Sequence, residues 1–428
     1  MIRTTTLSFA ALLLAVLLAA VSCTKHGFNS RLTIAAIEGV EGEALKQAAV
    51  DYEKFTGVHI DVVQFPYANL FEKELLDLNS RTGAYDVIMM DDPWFPRFAE
   101  SAFLTNMQPL LQKHGKDGPD PDFIASSIAV CRHPYQTGSL YALPYVGNSQ
   151  LFFYRKDLFA KNNLKPPATW DDVLAAAKTI QEKEKGPDGG KMYGYVMRAA
   201  QGNAAVADFM PIFWAFGAEM FDAKGKPSVN SPEGIAALQF MLELGKYTPP
   251  GYVSFNASEV SAHLLNGTAA MSINWPAWIS AFSDPAKSKV IGKIEFTTLP
   301  SARKAGQAEI GNWLIAIPRS SQNSDLAISF LLWATNSEQM KRSAQRGNPP
   351  TRKSLFQDAD LVKQFPAYPA QLRSLETSRP RPRTSRWNEI ENVFGIYLSK
   401  ANSGELSPAD AMNQANAEID KILQRAGR

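Results

Sequence analysis

The sequence predicts an α/β protein built as two lobes. Three observations carry this expectation. From Leu32 to Met90 the chain alternates strand, helix, strand, helix, strand, which is the pattern of a parallel sheet with crossover helices. About 400 of the 428 residues remain after an apolar leader, more than one hydrophobic core serves. Within Gly138–Phe159, two apolar runs, Leu140–Leu143 and Leu151–Tyr154, are separated by a short bridge, Tyr145–Gln150, that follows Pro144 and contains Gly147. Such a bridge suits a crossover between lobes, with Tyr145 and Asn148 in the cleft. A hairpin inside one domain accounts for the same stretch.

The elements follow in order. Arg3 and the apolar run Leu7–Ala20 form a leader of signal-peptide length, too short for a membrane span. Small residues then precede Cys23, as in a lipobox, which makes Cys23 the acylated first residue of the mature chain and Thr24–Ser30 a polar tether. Simple secretion with Cys23 discarded is the other reading. Leu32–Ile37 reads as a strand. Gly42–Thr56 reads as a helix, with Leu45, Ala48, Ala49, Tyr52 and Phe55 on one face and Gly57 closing it. His59–Phe65 is a second strand. Tyr67–Arg81 is a second helix, closed by Gly83. Tyr85–Met90 is nearly all apolar and reads as a central strand.

Ligands of open parallel sheets sit beyond the carboxyl ends of the strands. Those ends carry Glu38, Phe65 and the turn Asp91-Asp92-Pro93-Trp94. Carboxylates and aromatic faces are what a sugar site requires. Asp91 and Asp92 also suit a helix N-cap ahead of Pro93, so one can cap while the other binds.

Farther on, Thr169 and Asp172 form a capping box for a helix from Trp170. Phe209–Phe216 is aromatic-rich, with Trp214 the cleft candidate and the phenylalanines core. Ser231-Pro232 opens a helix, Ala262–Gly267 closes another, and Ala269–Asn274 is a strand that returns the chain across the cleft. Trp275-Pro276-Ala277-Trp278 follows directly. A tryptophan in such a turn either packs on the other lobe or stacks on ligand. Gly311-Asn312-Trp313 precedes the strand Leu314–Ile317 and offers close backbone approach, an amide and an aromatic face. Arg379, Arg381, Arg383 and Arg386 form a basic run broken by prolines. It reads mainly as a solvated loop, with Arg386, at the start of the helix Trp387–Lys400, as the cleft candidate. Ser407–Asp410 caps the last helix.

Composition narrows the function. The formal charge is +2, which gives no reason to invoke nucleic acid or a membrane-binding face. Only Cys131 remains after Cys23, so an intramolecular disulfide is ruled out. The five histidines and the cysteines show no metal-ligand spacing, and no phosphate-binding glycine motif occurs. No cofactor or metal is expected.

Gly-Ser-Leu-Tyr-Ala-Leu-Pro from Gly138, Phe-Tyr-Arg-Lys-Asp-Leu-Phe from Phe153, Pro166–Asp172, Leu265–Asn274, Gly311–Pro318 and Ser324–Thr335 occur in an order and spacing that resembles the extracellular solute-binding proteins of ABC importers. More narrowly, they resemble the sugar-binding branch that includes maltose-binding protein. The resemblance implies a two-lobed periplasmic-binding-protein fold with discontinuous lobes joined by a hinge: residues 31–143 with 271–320, and residues 144–270 with 321–428. It implies a monomer, anchored through Cys23 on the outer face of a bacterial membrane, that captures a carbohydrate and delivers it to a permease without catalysis. It places an aromatic platform at Trp275 and a cleft-lining loop at Gly347–Arg352, with Arg352 in the site. Two other functions are open from the residues. One is a phosphorylated or acidic sugar or polyol, suggested by the basic run. The other is a glycoside-acting enzyme using two of Glu38, Asp91 and Asp92.

Overall fold

The computed structural model describes residues 31–426. The leader, Cys23 and the tether lie outside the described residues. The principal strands are β1 (Arg31–Ile37), β2 (His59–Phe65), β3 (Val87–Asp91), β4 (Ala142–Val146), β5 (Leu151–Arg155), β6 (Met271–Asn274), β7 (Ile294–Thr297) and β8 (Trp313–Ala316). The helices that matter for the site are α1 (Val40–Thr56), α2 (Tyr67–Ser80), α3 (Asn203–Ala215), α4 (Ser324–Ala334), α5 (Tyr368–Thr377) and α6 (Trp387–Asn402).

The first lobe is a five-stranded sheet in the order β2-β1-β3-β8-β4. β1 runs parallel to β2 and β3, with Arg31 opposite His59 and Ile34 opposite Val87. β8 enters late and antiparallel, between β3 and β4. Crossover helices α1 and α2 pack on the sheet through Leu45, Ala49, Tyr52, Leu70 and Leu78, all buried. α2 ends at Ser80, stopped by Arg81 in the left-handed conformation two residues ahead of Gly83, which also has a positive φ.

The second lobe holds a three-stranded antiparallel sheet, β6-β5-β7. β5 is apolar from Leu151 to Tyr154 because both its faces are covered. Phe152 and Tyr154 face one core, with α3 and α6, while Leu151 and Phe153 face another.

The lobe boundaries differ from those expected. Met271–Asn274 does not cross back; it pairs with β5, as does Ile294–Thr297, so residues 271–297 stay with the second sheet. The chain returns at Ile310–Asn312 and joins the first sheet as β8. Conversely α4, expected in the second lobe, packs on the first, where Phe330 meets Tyr52 with ring centroids 5.3 Å apart. An apolar strand or helix announces that it is buried, but not which sheet buries it.

The bridge after β4 is a crossover and not a hairpin: β4 and β5 lie in different sheets. It is shorter than expected, because Tyr145 and Val146 belong to β4. A Cβ on Gly147 would stand 2.0 Å from the Pro350 carbonyl oxygen, so only glycine lets the crossover pack on the Gly347–Arg352 loop.

Candidate ligand-binding site

The carboxyl end of β3 delivers Asp91 and Asp92, 6% and 0% exposed, to the space between the lobes. The Tyr67 hydroxyl, at the start of α2, donates to Asp91 Oδ2 at 2.8 Å. Asn312, at the head of β8, accepts from the Asp92 backbone N–H through its carbonyl at 3.1 Å. Asn148, on the crossover, donates through Nδ2 to Glu41 Oε1 at 3.1 Å. Burial raises the Glu41 carboxyl above its usual range, against the stabilising hydrogen bonds. Beneath these groups lies an aromatic bed. Trp94 packs on Tyr67 at 4.8 Å, on Phe71 at 5.2 Å and on Trp313 at 5.9 Å between centroids.

The opposite wall comes from the second lobe. Arg198 and Asp208 form a buried pair, Arg198 Nε donating to Asp208 Oδ1 at 2.7 Å and the Arg198 backbone N–H to Oδ2 at 2.8 Å. The Arg198 guanidinium lies over the Trp275 ring, 5.3 Å from its centroid. The far edge of that ring occupies the place of a Gly311 Cβ, whose ideal position is 2.5 Å from the ring carbon Cζ3.

A strap between α5 and α6 completes the site. Arg379 anchors it to the second lobe: its N–H donates to the Ala308 carbonyl at 2.8 Å and its carbonyl accepts from Ile310 N–H at 3.0 Å. Pro380 and Pro382 flank Arg381 and fix φ on either side of it. Arg381, 2% exposed, reaches the first lobe, where Nη2 donates to Asp91 Oδ1 at 3.0 Å and Asp92 Oδ1 at 2.8 Å. Its Nε lies 3.5 Å from Glu309 Oε1 and its Nη1 3.8 Å from Glu391 Oε1. Arg383 follows into the first lobe, donating to the Asp92 carbonyl at 2.8 Å, to Asp92 Oδ2 at 3.0 Å and to the Val130 carbonyl at 2.9 Å.

Burial sets the electrostatics. It pushes Asp92 up to about 6 although Arg381 pulls it down. It pushes Glu391 up to about 7 and Glu309 up to about 8, again against Arg381. Burial disfavours the Arg381 charge, yet Asp91, Glu309, Asp92 and Glu391 outweigh it and hold the guanidinium firmly protonated. Several buried atoms here lack a protein hydrogen-bond partner: both amide atoms of Asn312, Asn148 Oδ1, both Glu309 oxygens and Arg381 Nε. Orphaned donors and acceptors at one place mark where a polar ligand would be received.

The structure gathers seven of the residues singled out in the sequence around this space: Asp91, Asp92, Asn148, Trp275, Gly311, Asn312 and Trp313. The others lie elsewhere. Glu38 is at the expected strand end, but its side chain is exposed and makes none of the cluster's hydrogen bonds; Glu41, one helical step on, points inward instead. Trp94 is wholly buried beneath the site. Tyr145 is first-lobe core, its hydroxyl donating to the Ala44 carbonyl at 3.0 Å. Trp214 is buried in α3, its ring covered by Arg379 at 4.9 Å. Trp278 packs against the second core of its own lobe. Arg352 is held by Asp120 at 2.8 Å, by the Thr335 carbonyl at 2.8 Å and by the Phe123 ring, away from the cleft. Arg386 pairs with Glu389 at 2.7 Å on its own helix.

The sequence reading missed Glu41, Tyr67, Arg198, Asn203, Asp208, Glu309, Arg381, Arg383 and Glu391. Two signals were present. Asp208 is the one charge in α3, a helix buried almost all round, and Glu391 lies on the apolar stripe of α6 with Trp387, Ile390 and Phe394. A charge in such a place needs a partner.

Comparison with known proteins agrees with this architecture. A probable amino-acid ABC transporter periplasmic-binding protein of Sinorhizobium fredii is 25% identical over 96% of this chain and 93% of its own. An ABC transporter solute-binding protein of Agrobacterium radiobacter, solved in complex with ribitol, superposes with a TM-score of 0.85 at 26% identity, covering 92% of this chain and 98% of that one. A solute-binding protein of Agrobacterium vitis with bound D-mannitol gives 0.80 at 27% identity, covering 93% and 99%. Residues 36–341 match the family described as bacterial extracellular solute-binding protein. With a two-lobed α/β fold and a buried polar cluster at the junction of its lobes, the chain belongs to the bacterial extracellular solute-binding proteins, which work outside the cytoplasm.

Proposed function

We propose that the protein captures a small uncharged polyhydroxylated solute, a sugar or sugar alcohol, and delivers it to an ABC permease without chemical change. The observation that carries this reading is the set of orphaned planar polar groups, Asn312, Asn148, Glu309 and Arg381, beside Asp91 and Asp92 and near the Trp275 ring. Each ligand hydroxyl stripped of water and left unpaired costs about 1–3 kcal/mol. A site of fixed carboxylates and amides answers that cost, and it forms only when both lobes contribute, so ligand favours closure. The ribitol and mannitol complexes of the Agrobacterium proteins support the same class.

An acidic or phosphorylated ligand fits less well. Its anion needs a free guanidinium, whereas Arg198 is paired with Asp208, and Arg381 and Arg383 with Asp91 and Asp92. The same shortage weighs against an amino-acid carboxylate, despite the name of the Sinorhizobium relative. Glycoside chemistry is disfavoured because Asp91 and Asp92 share one nitrogen of Arg381 as counter-ions, where a glycosidase needs two carboxyls in separate roles.

The test is thermal unfolding of the purified mature domain against ribitol, D-mannitol, maltose, amino acids and glycerophosphodiesters. A ligand at a hundredfold its dissociation constant adds about 2.7 kcal/mol. Stabilisation by a phosphorylated compound or amino acid, and by no polyol or sugar, overturns the reading. We further propose that Cys23 is lipidated and anchors the protein to the membrane. Mass spectrometry of the processed chain should find a diacylated Cys23; an unmodified soluble chain starting elsewhere removes the anchor.

A further inference from the structure

We propose that Glu309 determines specificity in the cleft as a neutral carboxyl, donating a hydrogen bond to an oxygen of an uncharged polyhydroxylated ligand. This rests on the sugar or polyol reading above.

Four groups act on Glu309 directly: Arg381 from the strap, Glu391 from α6, Arg198 from the loop before α3 and Asp92 from the turn after β3. Their ion pairs extend the cluster to Asp91 of β3, Asp208 of α3 and Arg383 of the strap. Five carboxyls thus share three guanidiniums, an excess of two negative charges if all ionise. Apart from Arg383, each of these residues is at most 6% exposed. Unpaired charge at such depth is too costly to persist, so protons must neutralise part of it.

The hydrogen bonds indicate which carboxyl takes one. Asp91 and Asp92 receive Nη2 of Arg381, and Asp92 also receives Arg383. Asp208 receives Arg198. Glu391 receives Asn203 Nδ2 at 2.9 Å. Glu309 receives none: both oxygens are orphaned, and Arg381 Nε stands off at 3.5 Å. Its backbone is fixed, with its N–H donating to Gln150 Oε1 at 3.0 Å and its carbonyl accepting from Gln150 N–H at 3.3 Å. Burial, which pushes this carboxyl up to about 8, agrees with the assignment. The consequence for recognition is direct. Asp91 and Asp92 only accept, whereas a ligand hydroxyl oxygen also needs a donor. A protonated Glu309 supplies one without adding a cation that would attract anions.

Glu309→Gln tests this, because the amide keeps a donor and an acceptor but cannot titrate. Binding of ribitol and D-mannitol is measured by titration calorimetry from pH 6 to pH 9. Wild-type affinity should fall above pH 8, approaching about tenfold per pH unit as the proton is lost. The Gln variant should bind comparably at pH 6.5 and lose no affinity over the same range. Identical pH profiles, or a Gln variant as weak at pH 6.5 as wild type at pH 9, overturn the proposal. Failure of both polyols and of maltose to bind overturns the ligand class on which it rests. The proton is then decided by ligand-free melting. Glu309→Gln should raise the unfolding temperature relative to wild type at pH 9 and not at pH 5, and equal shifts at the two pH values refute the neutral carboxyl.

Discussion

Replacing Arg381 by Met tests the electrostatic logic of the whole junction. Met fills much of the same volume and removes the charge. It leaves Asp91, Asp92, Glu309 and Glu391 buried around an apolar side chain. Removing one partner of a buried ion pair costs about 3–5 kcal/mol, because the other charge is left uncompensated. The sign of the pH dependence follows from the carboxyls. In the folded protein Asp92, Glu391 and Glu309 are raised to about 6, 7 and 8, above their values of 3.8, 4.5 and 4.5. A group raised on folding favours the folded state fully below its unfolded value, and this advantage is lost as pH rises through the folded value. Arg381 favours ionisation of all three and holds their values down, so without it the values rise further and the loss with pH is steeper. The deficit of Arg381→Met should therefore be largest near pH 8.5 and small near pH 5, where most of these carboxyls carry protons. Denaturant midpoints of wild type and variant at the two pH values measure it. A deficit below about 1 kcal/mol at pH 8.5, or a larger one at pH 5, refutes the reasoning.

Trp275→Ala should weaken binding of the responding polyol or sugar by about 1–3 kcal/mol, the worth of an aromatic stack on a planar base, with little change in unfolding; a large stability loss with affinity intact in the folded fraction assigns the ring to the core. Trp94→Ala should do the reverse and cost about 3–5 kcal/mol of stability, since the ring is fully buried, as unfolding curves will show. Gly311→Ala sets a methyl 2.5 Å from the Trp275 ring. Calorimetry should find weaker binding, partly restored by the smaller ring of Trp275→Phe in the double variant, whereas a neutral Gly311→Ala would disprove the contact.

Much of the scaffold was legible from the chain alone. Helical periodicity places α1 and α2, and short apolar or β-branched runs place β1 to β3, because the sequence records which residues each element buries. The capping box at Thr169 and the Ser231 cap are local in the same sense, made by residues three apart. Asp91 and Asp92 were legible because a strand's carboxyl end is fixed by the strand itself, and Asn312 because it stands directly ahead of an apolar strand. The partners across the cleft were not. Arg381 lies 290 residues from Asp91, in a run of arginines and prolines that reads as a solvated loop, and nothing local distinguishes it from Arg379 or Arg386. Charges find their partners through space, so only the packing of two lobes decides that Arg381 is buried among carboxyls while Arg386 pairs on its own helix. For the same reason residues 271–297 are expected in the first lobe and pair in the second: an apolar pattern fixes that a strand has neighbours, and the tertiary fold chooses them.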